Sequence, residues 1–180
     1  MSKEDIIFLH APSVYDFRKE FLFYGPVSDM VPSTPVFEMY PFGFTSMASH
    51  LANNGFKVRI VNLASMMLND RKLDVEKLLS KLKAKVFGID LHWLPHAHGA
   101  LEIAKLIRKL HPESKVLFGG FSSTYYHEEL LGYPQVDMIM KGDSTEEPLR
   151  QLMAALKDGT PLEQVPNLSW KDEGGEHHNP

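Results

Sequence analysis

Short runs of apolar residues recur along the chain, and each run is bounded by polar or turn-forming residues. Runs of this length are typical of strands that are buried on both faces of a sheet. They predict five strands, at residues 6–9, 58–63, 86–89, 116–118 and 136–140. Between and after these runs, apolar residues repeat at intervals of three or four, which predicts helices at residues 42–54, 75–82, 97–110 and 146–157.

The ends of these helices carry recognisable signals. Gly55 and Gly159 follow the first and last predicted helices and are expected to end them in the left-handed conformation. Ser144 and Glu147 have the spacing of a capping box at the start of the last helix. Strands that alternate with helices of this length require right-handed crossovers, so the sheet is predicted to be mostly parallel.

The predicted fold is therefore α/β, with three layers. It is a Rossmann-like (flavodoxin-like) arrangement in which a mostly parallel five-stranded sheet carries helices on both faces. Such sheets bind ligands outside the carboxyl ends of their strands. The residues that directly follow each strand are therefore the first candidates for a functional site.

Two segments interrupt the alternation. Residues 12–41 contain five prolines and form a long predicted loop, and a connection of this length is usually functional. Tyr15, close behind the first strand, is its best candidate for a ligand contact. Residues 161–180 are polar and glycine-containing, and a short strand at 166–170 is expected to leave the domain. One α/β domain at residues 1–160 is thus predicted, with a separate tail at 161–180.

Composition narrows the class of protein. With 180 residues, the chain fits one domain. Its 19 basic and 23 acidic residues give a net charge of −4 without a basic stripe, so no nucleic-acid partner is expected. The absence of cysteine excludes a disulfide framework, a thiolate zinc site and an iron–sulfur cluster within these residues. No membrane-spanning or signal segment is apparent, and a cytoplasmic location is predicted by default.

Polar and glycine residues follow four of the five predicted strands. A glycine pair lets a ligand approach the backbone closely, although such a pair can also serve only as a turn. The chain has neither the dinucleotide-binding glycine fingerprint nor a Walker-type loop, which argues against a nucleotide ligand. The candidate site residues are His10, Ser13, Tyr15, Asp90, His92, Gly119, Gly120, Phe121, Ser122, Gly142 and Asp143.

Histidines near the third strand raise the question of a metal site. Asp90 and His92 are two residues apart on a strand, so their side chains share a face. His96 and His98 lie at the start of a helix, where residues two apart point in different directions. The pattern favours polar strand-end positions over a protein-only metal site.

A phosphoacceptor, receiver-like signalling domain is an alternative function. Such domains place an aspartate after the third strand, a hydroxyl after the fourth and a lysine after the fifth, and Asp90, Ser122 and Lys141 fit. The acidic pair that holds Mg²⁺ after the first strand is missing, since His10 and Ala11 stand there. A flavin-binding flavodoxin-like domain is the other alternative.

Short segments along nearly the whole chain resemble one family. They are residues 41–48 (Pro-Phe-Gly-Phe-Thr-Ser-Met-Ala), 55–58, 88–90, 119–120, 128–131, 136–137, 141–143 and 165–168. In this order they resemble the cobalamin (B12)-binding domains that precede the catalytic domain of B12-dependent radical SAM enzymes. The resemblance implies that cobalamin is the cofactor.

The resemblance also implies roles for individual residues. Gly119 and Gly120 would lie along the nucleotide tail of cobalamin, and Gly142 would flank the pocket for its dimethylbenzimidazole base. Asp90 occupies a position where related domains often have a serine. The Asp-x-His-x-x-Gly motif that supplies a cobalt ligand in many cobalamin domains is absent after the first strand. His10 and His92 are the only candidates for that ligand.

Catalysis is expected to need a further domain. The resemblance implies that an iron–sulfur cluster and S-adenosylmethionine belong to a downstream radical SAM domain, and that the present domain is not catalytic by itself. Residues 161–180 would be the exit linker toward that domain. The polypeptide is expected to continue beyond Pro180 into a cysteine-bearing enzyme, which could be a methyltransferase.

Overall fold

The computed structural model of the protein describes residues 3–18 and 42–180, so most of the predicted loop at 12–41 lies outside the described residues. The strands of the described part are β1 (Glu4–His10), β2 (Val58–Asn62), β3 (Ala84–Asp90), β4 (Lys115–Gly119), β5 (Met138–Met140), β6 (Leu168–Asp172) and β7 (Gly175–His178). The helices are α1 (Phe42–Asn53), α2 (Leu63–Asn69), α3 (Val75–Ser80), α4 (Ala97–Leu110), α5 (Phe121–Tyr125), α6 (His127–Leu131) and α7 (Glu146–Asp158). Single 3₁₀ turns lie at Leu94–His96 and Leu162–Gln164.

The strands form one sheet in the order β2-β1-β3-β4-β5-β6-β7. Strands β1 to β5 are parallel to their neighbours, whereas β6 and β7 are antiparallel. The chain moves from β1 to β2 on one side and then to β3 on the other, so the winding order reverses beside β1. The predicted mostly parallel sheet is confirmed, and its switch point is where ligands bind in sheets of this kind.

Helices cover both faces of the sheet, as predicted. Successive residues of β1 point to opposite faces, so Ile7 and Leu9 join one buried cluster while Ile6 and Phe8 join the other. The first cluster includes apolar residues of α2, α3, α4 and α6, and the second includes those of α1 and α7. No described helix has the length and hydrophobicity that crossing a membrane requires.

The described sheet has seven strands, so the prediction of five is wrong. The strand expected at 166–170 does not leave the domain. It is the start of β6, which pairs with β5 so that Trp170 lies opposite Met138. Trp170 is only 4% exposed, and the ring of His177 in β7 stacks on it at 4.8 Å. This tail therefore covers its own indole, and it contributes two strands to the domain.

One strand end and one helix cap differ from the prediction, although the last helix begins at residue 146 as predicted. Strand β2 ends at Asn62 because the Asn62 side chain accepts a hydrogen bond from the Ser65 amide at 2.8 Å and caps α2. The predicted capping box does not form, since α7 starts after Thr145 and its cap makes no side-chain hydrogen bond. The carboxylate of Glu147 instead accepts hydrogen bonds from Arg150, which lowers the Glu147 pKa to about 2.

Helix α4 lies unusually close to the segment that follows β1. A Cβ atom at Gly99 would lie 1.7 Å from the carbonyl oxygen of Pro12, and the Gly99 amide donates a hydrogen bond to the Ser13 carbonyl at 3.0 Å. Because there is no side chain at residue 99, the helix can pack directly on this backbone. The contact fixes the start of α4 against the carboxyl end of β1.

We expect Gly99→Ala to lower the free energy of unfolding by about 1–3 kcal/mol, because the methyl group would displace the Pro12 backbone. The control is Gly43→Ala in α1, where the nearest atom to a Cβ is the Met47 Cε at 3.9 Å. That exposed helical change should raise stability by up to about 1 kcal/mol. Urea unfolding of the two variants measures the difference, and equal midpoints would contradict the contact.

Candidate functional site

The predicted site residues lie at one edge of the sheet, where the parallel strands β1, β3, β4 and β5 have their carboxyl ends. Each strand delivers a different kind of group to this edge. Strand β1 ends in a buried histidine, β3 in an aspartate, β4 in a glycine pair, and β5 is followed by a glycine with φ of +103°. The structure thus brings together residues that are far apart in the sequence.

His10 and Asp90 form the innermost polar pair of this edge. The His10 Nδ1 and the Asp90 Oδ2 are 2.8 Å apart, and both side chains are largely buried. The His10 ring also lies 5.9 Å from the ring of His96. The second carboxylate oxygen, Asp90 Oδ1, is buried and has no hydrogen-bond partner among residues 3–18 and 42–180. A buried oxygen without a donor is costly, so this atom is a ready acceptor for an additional N–H or O–H group.

The loops after β3 and β4 are in direct backbone contact. Gly120 has φ of +106°, and a Cβ there would lie 2.9 Å from the His92 amide nitrogen. The Leu91 amide donates to the Gly119 carbonyl at 2.8 Å, and the Ser123 amide donates to the Leu91 carbonyl at 3.2 Å. The Ser122 hydroxyl donates to the His92 carbonyl at 3.1 Å. Hydrogen bonds therefore hold the two loops together along their length.

Thr124 connects the β4 loop to the β5 loop. Its hydroxyl donates to the Gly120 carbonyl at 3.0 Å and accepts from the Gly142 amide at 3.0 Å. Gly142 has room beside it, since the described atoms that a Cβ there would meet are those of the Asn167 and Thr145 side chains, at 3.5 and 3.8 Å. Asp143, the next residue, is exposed. Thr124 and Ser123 are thus structural members of the edge that the sequence prediction did not include.

Ser13 and Tyr15 are placed by helix α4 rather than by the β4 loop. Ser13 is buried, and the Tyr15 amide donates to the His98 Nδ1 at 3.2 Å. The Tyr15 side chain is half-buried and packs against the first hydrophobic cluster. These residues form the β1 side of the edge, beside the His10–Asp90 pair.

An aromatic group lies on the exposed side of the same loops. The ring of His92 is 4.7 Å from the ring of Phe121 and 5.9 Å from that of Trp93. The sequence prediction included His92 and Phe121 but not Trp93. The available signal in the sequence was a tryptophan close behind a predicted buried strand. A large apolar side chain that is exposed at such a position indicates a binding role.

The geometry does not match a phosphoacceptor site. Lys141, the candidate lysine, donates to the Asn179 carbonyl at 2.8 Å and so points toward β7. Asp90 is paired with His10 instead. Within residues 3–18 and 42–180, no group of three or more histidine, aspartate or glutamate side chains could hold a metal ion.

A family model described as "B12 binding domain" matches residues 30–151, which is more than half of the chain. The protein therefore belongs to the B12-binding domain family, and its cofactor is cobalamin. This match selects cobalamin over the phosphoacceptor and flavin alternatives. No curated protein sequence matches the chain significantly.

Solved structures with the same fold include two radical SAM enzymes. TsrM, a radical S-adenosylmethionine methyltransferase from Kitasatospora setae with cobalamin and a 4Fe-4S cluster bound, superimposes with a TM-score of 0.71 at 18% identity. OxsB, a cobalamin-dependent S-adenosylmethionine radical enzyme with aqua-cobalamin and S-adenosylmethionine bound, superimposes with a TM-score of 0.68 at 19% identity. Both alignments cover 99% of this chain, but only 29% of TsrM and 22% of OxsB.

The residues present fit cobalamin. At Gly119, apart from the adjacent residues of the chain, the one described atom that a Cβ would approach within 4 Å is the Met140 carbonyl oxygen, at 3.8 Å. The described part of the chain therefore leaves space for a ligand directly beside the end of β4. In the described part of the chain Asp90 Oδ1 is an acceptor without a donor, and the amide substituents of the corrin ring would provide one. The edge therefore combines an open backbone with an acceptor, as a large amide-bearing cofactor requires.

The two glycines of the pair should respond differently to the same substitution. We expect Gly120→Ala to lower the free energy of unfolding by about 1–3 kcal/mol, because alanine is strained at positive φ and its methyl group would press on His92. Gly119→Ala should leave the free energy of unfolding unchanged or raise it by up to about 1 kcal/mol. Guanidinium unfolding checks this, and equal losses in both variants would refute the assigned loop contact.

Proposed function

We propose that the chain is the cobalamin-binding module of a larger radical SAM enzyme, and that it is not catalytic by itself. The observation that carries this proposal is the open backbone at Gly119, framed by Gly120 and Gly142, at the switch edge of a B12-binding domain. The chain spans less than a third of the length of TsrM and OxsB.

The rest of the proposed enzyme supplies what these residues lack. The 180 residues contain no cysteine to hold an iron–sulfur cluster. The proposal therefore assigns the cluster and S-adenosylmethionine to a downstream radical SAM domain in the same polypeptide. Residues 161–180 carry β6 and β7 of the present sheet and would connect to that domain. Methyl transfer is the reaction class that the name of TsrM suggests. A cytoplasmic location is part of the same proposal.

Within the domain, the strand-end loops divide the task of holding the cofactor. Gly119, Gly120, Phe121 and Ser122 would border the nucleotide tail, because backbone without side chains permits close approach there. Gly142 and Asp143 would border its terminal base. When bound, cobalamin supplies a cobalt centre that carries alkyl groups and changes oxidation state. The protein would bind the cofactor and orient it.

The β1 side of the edge would face the corrin ring. Asp90 Oδ1 would accept a hydrogen bond from a cofactor amide, and the His10 partner holds the Asp90 side chain in place. Ser13 and Tyr15 lie beside this pair. In this arrangement His10 is a positioning residue for Asp90. A carboxylate at Nδ1 also orients metal-ligating histidines, so the spectrum of the bound cobalt distinguishes the two roles of His10.

Binding is tested directly with hydroxocobalamin. The chain should retain its red absorbance through gel filtration, and Gly119→Val should weaken the affinity at least about tenfold by filling the space beside the end of β4. Unfolding midpoints serve as the control, since valine is well accommodated in a strand. Full affinity in a folded Gly119→Val protein would contradict the assigned tail position, and absence of cobalamin retention would contradict the function.

The proposal also predicts bound cobalamin without a histidine ligand and with its own base displaced. The reduced Co(II) form should then show no nitrogen splitting in its electron paramagnetic resonance spectrum, unlike free cob(II)alamin at neutral pH. The Asp-x-His-x-x-Gly motif is absent after β1, and the ring of His92 packs against Phe121. A nitrogen splitting that disappears in His10→Ala or His92→Ala would show that the replaced histidine is a cobalt ligand. This prediction would then be wrong.

A further inference from the structure

We propose that His92, Trp93, Leu94 and Phe121 form a preorganised shelf against which the flat corrin ring of cobalamin packs. The inference rests on the cobalamin-binding function proposed above and extends it to Trp93 and Leu94. These four residues are called the strand-end shelf below. They follow β3 and β4 at the same edge as the glycine pair.

The shelf exposes large apolar side chains to solvent, which does not stabilise an isolated domain. Trp93 is 57% exposed, Leu94 51% and Phe121 46%. Single exposed apolar residues are common, but a contiguous group of large ones usually marks a binding surface. The other tryptophan of the chain, Trp170, is only 4% exposed, which shows that the fold can bury an indole where no ligand is needed.

Ring contacts link three residues of the shelf, although all four residues are exposed. The His92 ring lies against both Phe121 and Trp93, at centroid distances of 4.7 and 5.9 Å. Its backbone is fixed by the Ser122 hydroxyl and by the close approach of Gly120. A surface that is ordered before binding loses little conformational entropy when a ligand covers it.

The position and charge of the shelf argue for the cofactor as its occupant. The loops that carry the shelf also carry Gly119 and Gly120, so a ligand that reaches the glycine pair lies beside the aromatic rings. The run from Leu91 to Pro95 and the pair Phe121-Ser122 contain no acidic residue, lysine or arginine. An uncharged, broad, largely apolar ring system is complementary to such a surface.

The test uses the absence of cysteine in the chain. Leu94→Cys places a single thiol on the shelf, and its alkylation by iodoacetamide is followed by mass spectrometry with and without saturating cyanocobalamin. The matched control is Tyr133→Cys, at a residue that is 44% exposed and precedes β5, at the opposite edge of the sheet. We expect at least about tenfold slower alkylation of Leu94→Cys when cobalamin is bound, and no change for Tyr133→Cys.

A second measurement concerns affinity. Trp93→Ala should weaken cyanocobalamin binding at least about tenfold, as removal of a central aromatic contact does, while Trp93→Phe should stay close to the parent chain. If the chain retains cobalamin but the thiol of Leu94→Cys is alkylated as fast as without it, the proposed shelf is wrong and the cofactor function stands. Loss of retention in the parent chain would overturn both. An apo dimer that Trp93→Ala dissociates would identify a second copy as the occupant instead.

Discussion

The close approach of Gly120 to the backbone of His92 sets the spacing of the loops at the functional edge of this domain. A side chain at residue 120 would come within 2.9 Å of the His92 amide nitrogen, so the loops after β3 and β4 could not meet as they do. The hydrogen bonds between Leu91 and Gly119 and between Ser122 and His92 depend on this approach. Through Thr124 the same arrangement continues to Gly142. One glycine in a left-handed conformation thus determines the shape of three strand-end loops.

The edge is polar in its interior and apolar on its surface, which reverses the usual order. The buried pair is His10 and Asp90. Their mutual hydrogen bond satisfies one carboxylate oxygen, and the other has no donor among the residues that the structure describes. The exposed group is Trp93, Leu94 and Phe121. Buried polar groups without partners and exposed apolar groups both carry a free-energy cost in an isolated domain. A single ligand with an apolar ring and amide substituents would relieve both costs at once.

The sequence allows the five parallel strands and the edge to be predicted, because strands buried on both faces are continuous apolar runs between turn residues. Strand β7 could not be predicted in this way, because its sequence Gly-Glu-His-His is that of an edge strand and has no run of apolar residues. The burial of Trp170 depends on pairing between β5 and β6 and on stacking by His177, and neither follows from local sequence. Likewise, the positions of Asp90 and Gly119 followed from strand ends, whereas the bridging role of Thr124 depends on two loops meeting in space.

The most direct test of the cofactor assignment is a crystal structure of the chain with hydroxocobalamin. We expect a corrin ring over the carboxyl ends of β1, β3 and β4, with the nucleotide tail passing Gly119 and an amide donating to Asp90 Oδ1. Electron density for cobalamin elsewhere on the domain would contradict this assignment. Density for a different, charged ligand beside Gly119 would also contradict it.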